Sequence, residues 1–197
     1  MKFDELNQLK AHFGELRLSE SDKEKRVSLG MIFYDILSYV FALMWLDALL
    51  NEDLDRDFYI DILLGRFIEA IEENDYPYEE AAVRHLVESV IDTNIEHYSE
   101  EEYFDDERAL EVAENGSSAV NNYSDFAEAK KKGKKYKVWY AEPDERTRPA
   151  HKMMDNVRIP IDEYFYVDGD LMRFPHDDDP SVSIKNLANC RCECHYE

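Results

Sequence analysis

No cysteine precedes Cys190. All three of the chain fall in Asn189-Cys190-Arg191-Cys192-Glu193-Cys194-His195, at every second position. A basic, apolar leader ending in small residues is also missing, and Met1-Lys2-Phe3-Asp4-Glu5 is not a signal peptide. Synthesis in a cytoplasm is therefore expected, where thiols stay reduced and clustered cysteines point to a metal before a disulfide. Positive charge is scarce in one part only. Residues 1–129 hold 10 Lys/Arg against 32 Asp/Glu, whereas residues 130–197 hold 13 of each, so the whole net charge of -22 belongs to the first part. An acidic body of this kind is repelled by naked nucleic acid and suits solubility or a basic protein partner. The charge step marks the expected boundary between an acidic helical domain, 1–129, and a small module, 130–197. A clean apolar run of membrane-spanning length is lacking too: Asp35 and Asp47 interrupt the stretch from Met31 to Leu50. That stretch reads as a central helix buried nearly all round, or as a surface for a partner helix, and no membrane association is expected. No internal repeat is visible.

What is present is enough for a packed core: 44% of the 197 residues are hydrophobic, so wholesale disorder is excluded. Residues 1–129 read as helices. Phe3, Leu6, Leu9, Phe13 and Leu16 recur at spacings of three and four, with Gly14 a mild flaw. Ser21-Asp22-Lys23-Glu24 has the capping-box pattern that opens a second helix, with Asn51 as its C-terminal cap. A third helix is expected from Asp53 to Glu73, and a fourth from near Pro77 to Tyr98. A fifth is expected to follow the capping box at Ser99-Glu100-Glu101-Glu102 and to reach Phe126, with a bend or break at Asn115-Gly116-Ser117-Ser118. Six lysines within residues 130–137 read as an exposed turn leading into a strand, with phosphate or nucleic-acid contact the weaker alternative.

From Tyr136 the texture changes. Lys137 to Ala141 has strand character, and Pro143-Asp144 turns the chain. Thr147 is placed to cap a short helix with Pro149 near its start, His151 inside it and Asn156 in the left-handed position that ends it. Short strands are expected at residues 157–161, 164–167 and 171–174, with Asp168-Gly169 a hairpin turn. His176-Asp177-Asp178-Asp179-Pro180 reads as a solvated loop, as does the acidic run at Glu100–Glu102, and neither is assigned a site. Residues 183–187 make one helical turn before the cysteines. The fold class expected is α+β: a helical N-terminal bundle, then a small mixed α/β module with short strands.

Thiolate and imidazole together form the ligand set that favours zinc. An extended terminal segment puts the three sulfurs on one side, and a short helix carrying His151 can fold back onto them. The candidate ligands of a structural zinc are His151, Cys190 and Cys192, with Cys194 or His195 completing four. The alternative is equally open: Cys190 and Cys192 pack as small hydrophobes or pair as a disulfide, and His151 is a hydrogen-bonded core histidine. Asp144, Arg146, Arg148 and Asp155 form a second cluster, read as polar braces for the short helix in preference to a phosphate clamp. Trp139 is expected in the core.

These residues, taken in order, resemble the phage Mu F-like family of minor head, or head-morphogenesis, proteins of tailed phages. Trp139 stands in the family's tryptophan position, and Asp144, Arg146, Arg148 and His151 meet its D-x-R-x-R-x-x-H pattern. Asp155 meets the aspartate of a D-G step whose glycine is Asn156 here, a residue that also tolerates the left-handed conformation. Phe165, Phe174-Pro175 and Asp179-Pro180 match later positions, and Asn189-Cys190-Arg191-Cys192 matches the closing N-C-R-C. The similarity covers roughly residues 105–195. Cys194 and His195 lie beyond the family core, so nothing is carried over to them.

The resemblance implies a non-catalytic virion protein, present in the host cytoplasm during assembly. It would associate with the portal and with capsid or scaffold proteins, and support assembly, DNA packaging or ejection, with DNA contact weakly supported. Two other classes compete: a metal-dependent nuclease or toxin-like enzyme using His151 and the cysteines, and an acidic binding module or DNA mimic acting through residues 1–129.

Overall fold

Side-chain caps set where the long helices begin. The computed structural model describes residues 2–50 and 53–197, the first two of these by backbone alone. Its helical part comprises α1 (Lys2–Gly14), α2 (Glu20–Leu49), α3 (Arg56–Glu73), α4 (Glu80–Glu96) and α5 (Asp106–Lys131). Ser19, not Ser21, caps α2: its hydroxyl accepts from the Asp22 amide and donates to the Asp22 carboxylate. Asp55 and Asp105 cap α3 and α5 by accepting from the amides of Phe58 and Arg108. The expected cap at Ser99 instead precedes a single 3-10 turn, Glu101–Tyr103. Both displaced starts have one reason. Several acids and serines lie in each junction, and the cap falls to the residue whose position leaves the apolar face of its helix on the core. The Phe3 side chain and Asn51 lie outside the described residues.

The core of the helical part is one cluster that joins all five helices. Phe33 of α2 stacks on Phe67 of α3, with ring centroids 4.1 Å apart. The expected break at Asn115–Ser118 does not occur, and α5 runs through it. Gly116 lets α2 approach α5: a Cβ there would lie 3.2 Å from Phe33 Cδ2 and 3.3 Å from Leu86 Cδ2. Ser117 is buried with its hydroxyl donating to the Arg26 carbonyl. Small residues in a stretch that reads as a bend or break thus form the face on which two helices meet. By length and composition α2 would suffice to cross a membrane. Here Leu29, Phe33, Leu37, Val40, Phe41 and Met44 bury one side of it in the bundle.

The C-terminal part is built from β1 (Tyr136–Tyr140), α6 (Pro149–Met154), β2 (Arg158–Pro160), β3 (Phe165–Val167), β4 (Asp170–Met172), α7 (Ile184–Leu187) and β5 (Glu193–Tyr196). β1 lies between β2 and β5, antiparallel to both, with Trp139 opposite Cys194. β3 and β4 form a separate hairpin closed by Asp168 and Gly169, both at positive φ. The chain is therefore α+β, with its strands following the helices.

Two expectations fail here. Lys137, placed by its sequence in an exposed lysine run, is fully buried. Its ammonium lies 5.3 and 5.2 Å from the ring centroids of Phe126 and Phe165 and donates to the Arg173 carbonyl at 2.7 Å. β1 is the central strand and is covered on both faces, so an alternating position there is interior whatever its residue. Burial pushes the Lys137 amine down to about 8. The loop at His176–Asp178 is likewise buried, not solvated. Arg173 anchors it, donating from its backbone and guanidinium to Asp177 at 2.6 to 3.1 Å and reaching Glu79 at 2.8 Å.

Candidate metal centre

His151 sits in the single α6 turn, which starts with Pro149 at a position where the missing N–H costs nothing. Arg148, not Thr147, holds the N-cap position, without a side-chain capping bond, and Asn156 follows at φ 62. The cysteines arrive from the other side. Asn189 at φ 53 turns the chain out of α7, and its backbone N–H donates to Asn115 Oδ1 of α5 at 2.8 Å. The Asn115 amide returns the bond to Asn189 Oδ1 at 3.2 Å. That pairing holds Cys190 against the helical part.

Among the described residues, His151, Cys190 and Cys192 form the only histidine, cysteine or carboxylate group whose ligand atoms converge, all within 4.8 Å of one another. His151 Nδ1 lies 3.4 Å from Cys190 Sγ and 3.5 Å from Cys192 Sγ. With Zn–S near 2.3 Å and Zn–N near 2.0 Å, a tetrahedral N/S edge is about 3.5 Å. Both N–S distances match that edge, so the cluster could hold a metal ion. All three residues are buried, with exposures of 1%, 3% and 4%.

The hydrogen bonds around His151 fix its tautomer. Asn186 gives both amide hydrogens away, to Val167 O at 2.9 Å and Asp170 Oδ2 at 2.8 Å. Its Oδ1, 3.3 Å from His151 Nε2, is therefore an acceptor. Nε2 carries the hydrogen, and the Nδ1 lone pair faces two sulfurs. One lone pair satisfies one thiol; a cation at the centre satisfies all three groups. A ring N–H held by an outer acceptor is the usual setting of a metal-bound imidazole. Cys190 is the more acidic thiol: the Cys192 thiol beside it and the imidazoles of His176 and His151 hold it well below the usual range, against the effect of burial. Cys192 is raised by its pairing with Cys190 and by burial. The Trp139 indole N–H has no oxygen or nitrogen partner and lies beside Cys192, where it favours a thiolate.

The remaining residues singled out in the sequence fall into two groups. Trp139 is fully buried, edge-on to His151 at 5.7 Å and to Phe165 at 5.1 Å. Arg191 donates to Asp144, and Arg146 bridges Asp144 at 3.5 Å and Glu15, the residue after α1, at 2.5 Å. The arginine pair draws the Asp144 carboxyl well below the usual carboxylate range. Arg148 caps the Ala188 carbonyl, and Asp155 accepts from the Ala141 amide at 3.0 Å. The arginines thus brace the turn and tie it to the end of α1.

Cys194 and His195 are not brought to the cluster. Only residues 193–196 are extended, so the alternation that would align three sulfurs begins after Cys192. Cys194 packs between the two C-terminal apolar clusters, where burial raises its thiol far above its ordinary range. His195 is half exposed against the Tyr140 ring at 4.5 Å, with Glu193 its partner at 3.4 Å. Sequence reasoning missed Asn186, which orients His151, and His176, which lies against Cys190. The first has no local signature; the second was masked by the three aspartates beside it.

A model of the family described as phage Mu protein F like protein matches residues 87–195, more than half of the chain. The chain belongs to that family. No curated protein and no solved structure matches it. The matched span of this Mu F-like protein opens inside α4, earlier than the resemblance at residue 105, and closes at His195. It includes every residue of the candidate centre. Family membership points to phage head morphogenesis and to association with the virion.

Proposed function

We propose that this Mu F-like chain is a minor head protein of a tailed phage that associates with the portal and procapsid and supports assembly, DNA packaging or ejection. The family match over residues 87–195 carries the proposal. Its role is structural, not catalytic. His151, Cys190 and Cys192 are too enclosed for a phosphodiester to reach them, and the neighbouring arginines are engaged by Asp144, Glu15 and the Ala188 carbonyl. The net charge of -22 disfavours DNA as a partner and suits a basic surface on portal, capsid or scaffold protein. The exposed side of α2 would then serve protein packing and not a bilayer.

In the same reading, structural zinc holds the C-terminal part. That part has short strands and two small apolar clusters, a setting in which a closed metal site contributes directly to folding. Zinc would lock α6 onto the terminal segment.

Affinity capture with the portal protein of the same phage, and quantitative mass spectrometry of purified heads, test the assembly role. Capture and a low copy number in heads are expected. Absence from both procapsids and mature particles would overturn it. Elemental analysis of chain purified without chelator tests the metal, with one zinc per chain expected and none refuting it.

A further inference from the structure

The outer side of α2 stays apolar where the bundle no longer covers it. Tyr39, Leu46, Leu49, Leu50 and Phe58 are each between 51% and 61% exposed. Tyr39, Leu43, Leu46 and Leu50 recur at spacings of four, three and four, which puts them on one stripe of α2 and its C-cap. Phe58 and Ile62 share a stripe at the start of α3. Two contacts lay these stretches side by side in antiparallel order: the Arg66 guanidinium lies 5.1 Å from the Tyr39 ring centroid, and the Tyr59 hydroxyl donates to Asp47. Leu43 and Ile62, on the same stripes, are partly buried against the core. The result is an apolar face shared by two helices.

Its size and its surroundings limit what can cover it. A half-exposed side chain of this kind leaves roughly 100 Å² uncovered, so the five present about 500 Å². That is a large patch for one chain, yet short of the ~800 Å² per partner buried in a stable interface of two globular surfaces. It suits a single helix held by a few apolar anchors. Residues 35–73 contain ten Asp/Glu, two Arg and no Lys. Both arginines are engaged, Arg56 by Asp92 at 2.5 and 2.9 Å and Arg66 by the Tyr39 ring. Asp57, Asp61 and Glu69 are exposed on the same pair of helices. A second copy would set one acidic rim against another, and an anionic bilayer would repel the face. Apolar anchors flanked by cations are its complement.

We propose that the outer face of α2 and α3 is a docking site for a basic amphipathic helix of a partner protein. That helix carries apolar residues at i, i+3, i+4 and i+7, with Lys or Arg on both flanks. The inference deepens the assembly reading above and rests on it for the partner being a protein of the phage head.

Fluorescence anisotropy with the full chain tests the proposal. The probe is a labelled Leu/Lys peptide of about 20 residues, long enough to be helical, with Leu at the stated spacing. The controls are the same composition in scrambled order and a Leu/Glu version. The native chain should bind the ordered Leu/Lys helix about 10-fold or more tightly than either control. Leu46→Ser with Phe58→Ser should weaken that binding about 10-fold while keeping far-ultraviolet helicity, because both side chains already face water. Asp61→Lys with Glu69→Lys should also weaken it and flatten its dependence on salt. Equal affinity for the scrambled peptide, or affinity unmoved by the two serines, would overturn the docking site. Self-association of the native chain, or binding to anionic vesicles, that the two serines abolish would overturn it as well. Capture of the portal protein by the native chain and by the serine variant alike would overturn the surface and leave the assembly reading standing. Binding of the ordered helix by a chain absent from procapsids and heads would overturn the assembly reading and keep the docking site.

Discussion

Asn122 is the residue through which the helical part grips the loop that carries His176, and removing it has a calculable cost. Asn122 is 3% exposed. Its Oδ1 accepts from the buried Arg26 guanidinium at 2.8 Å, and its Nδ2 donates to the Pro175 carbonyl at 2.8 Å. Asn122→Ala deletes both bonds. A hydrogen bond to a charged donor contributes roughly 1.5–3 kcal/mol, and a buried carbonyl left without a donor costs roughly 1–3 kcal/mol. Arg26 keeps the Ser118 carbonyl at 3.2 Å and the Asp125 carboxylate at 3.7 Å, so its charge is not fully stranded. The sum lies near 4 kcal/mol. For a chain of this size the urea slope is about 2.5 kcal/mol/M, so the midpoint should fall by about 1.6 M at unchanged slope. Equilibrium urea unfolding followed by circular dichroism measures it. A loss below about 1 kcal/mol would show that water satisfies both groups, and the proposed grip of the helices on the loop would be refuted.

Three further outcomes are expected. Glu114→Gln should make stability depend on pH. Burial, His176 and Arg191 push His12 down to about 4, while burial and Glu111 push Glu114 up to about 7, and the two groups touch at 3.1 Å. Between these values the unfolded chain carries a protonated histidine and an ionised glutamate, and the folded chain the reverse, so proton counts match and stability stays flat in pH. Without Glu114, the unfolded state alone binds the His12 proton in this window, and stability should rise by about 3 kcal/mol from pH 4 to 6.5; a flat profile in thermal melts would contradict this. Gly116→Val should cost about 1–3 kcal/mol because the added side chain meets Phe33, which is stacked on Phe67, and Leu86; an unchanged denaturation midpoint would exclude the close approach of α2 and α5. Cys192→Ser and His151→Ala should each abolish metal uptake and the near-ultraviolet signal of Trp139 while keeping most far-ultraviolet helicity. Normal folding and assembly of both variants would remove the site.

The order of elements was legible from residues alone because it rests on local chemistry. Apolar positions at helical spacing mark the stripes of α1 to α5, and Asp168-Gly169 can only be a tight turn. Asn156 takes the left-handed step expected of it. The pairing of His151 with Cys190 and Cys192 was an expectation drawn from ligand type, and the coordinates place those three groups together. Which neighbours would join them was not legible. The alternation of Cys190, Cys192 and Cys194 favours a strand of three aligned sulfurs, but β5 begins only after Cys192, because the reciprocal amide bonds of Asn115 and Asn189 hold the preceding segment on α5.

Burial is what only the tertiary structure decided. Lys137, His176 and Asp177 carry polar side chains in polar runs, and nothing in their immediate sequence sends them inside. Each is interior because a partner that the local pattern does not reveal completes it: Arg173 supplies the carbonyl that receives Lys137, 36 positions away, and the guanidinium that receives Asp177, four positions on, and Cys190 supplies the carbonyl against His176. Local pattern records the average preference of a residue for water. A buried polar group defies that average wherever a distant donor or acceptor replaces the water it gives up, and that replacement exists only once the chain has folded.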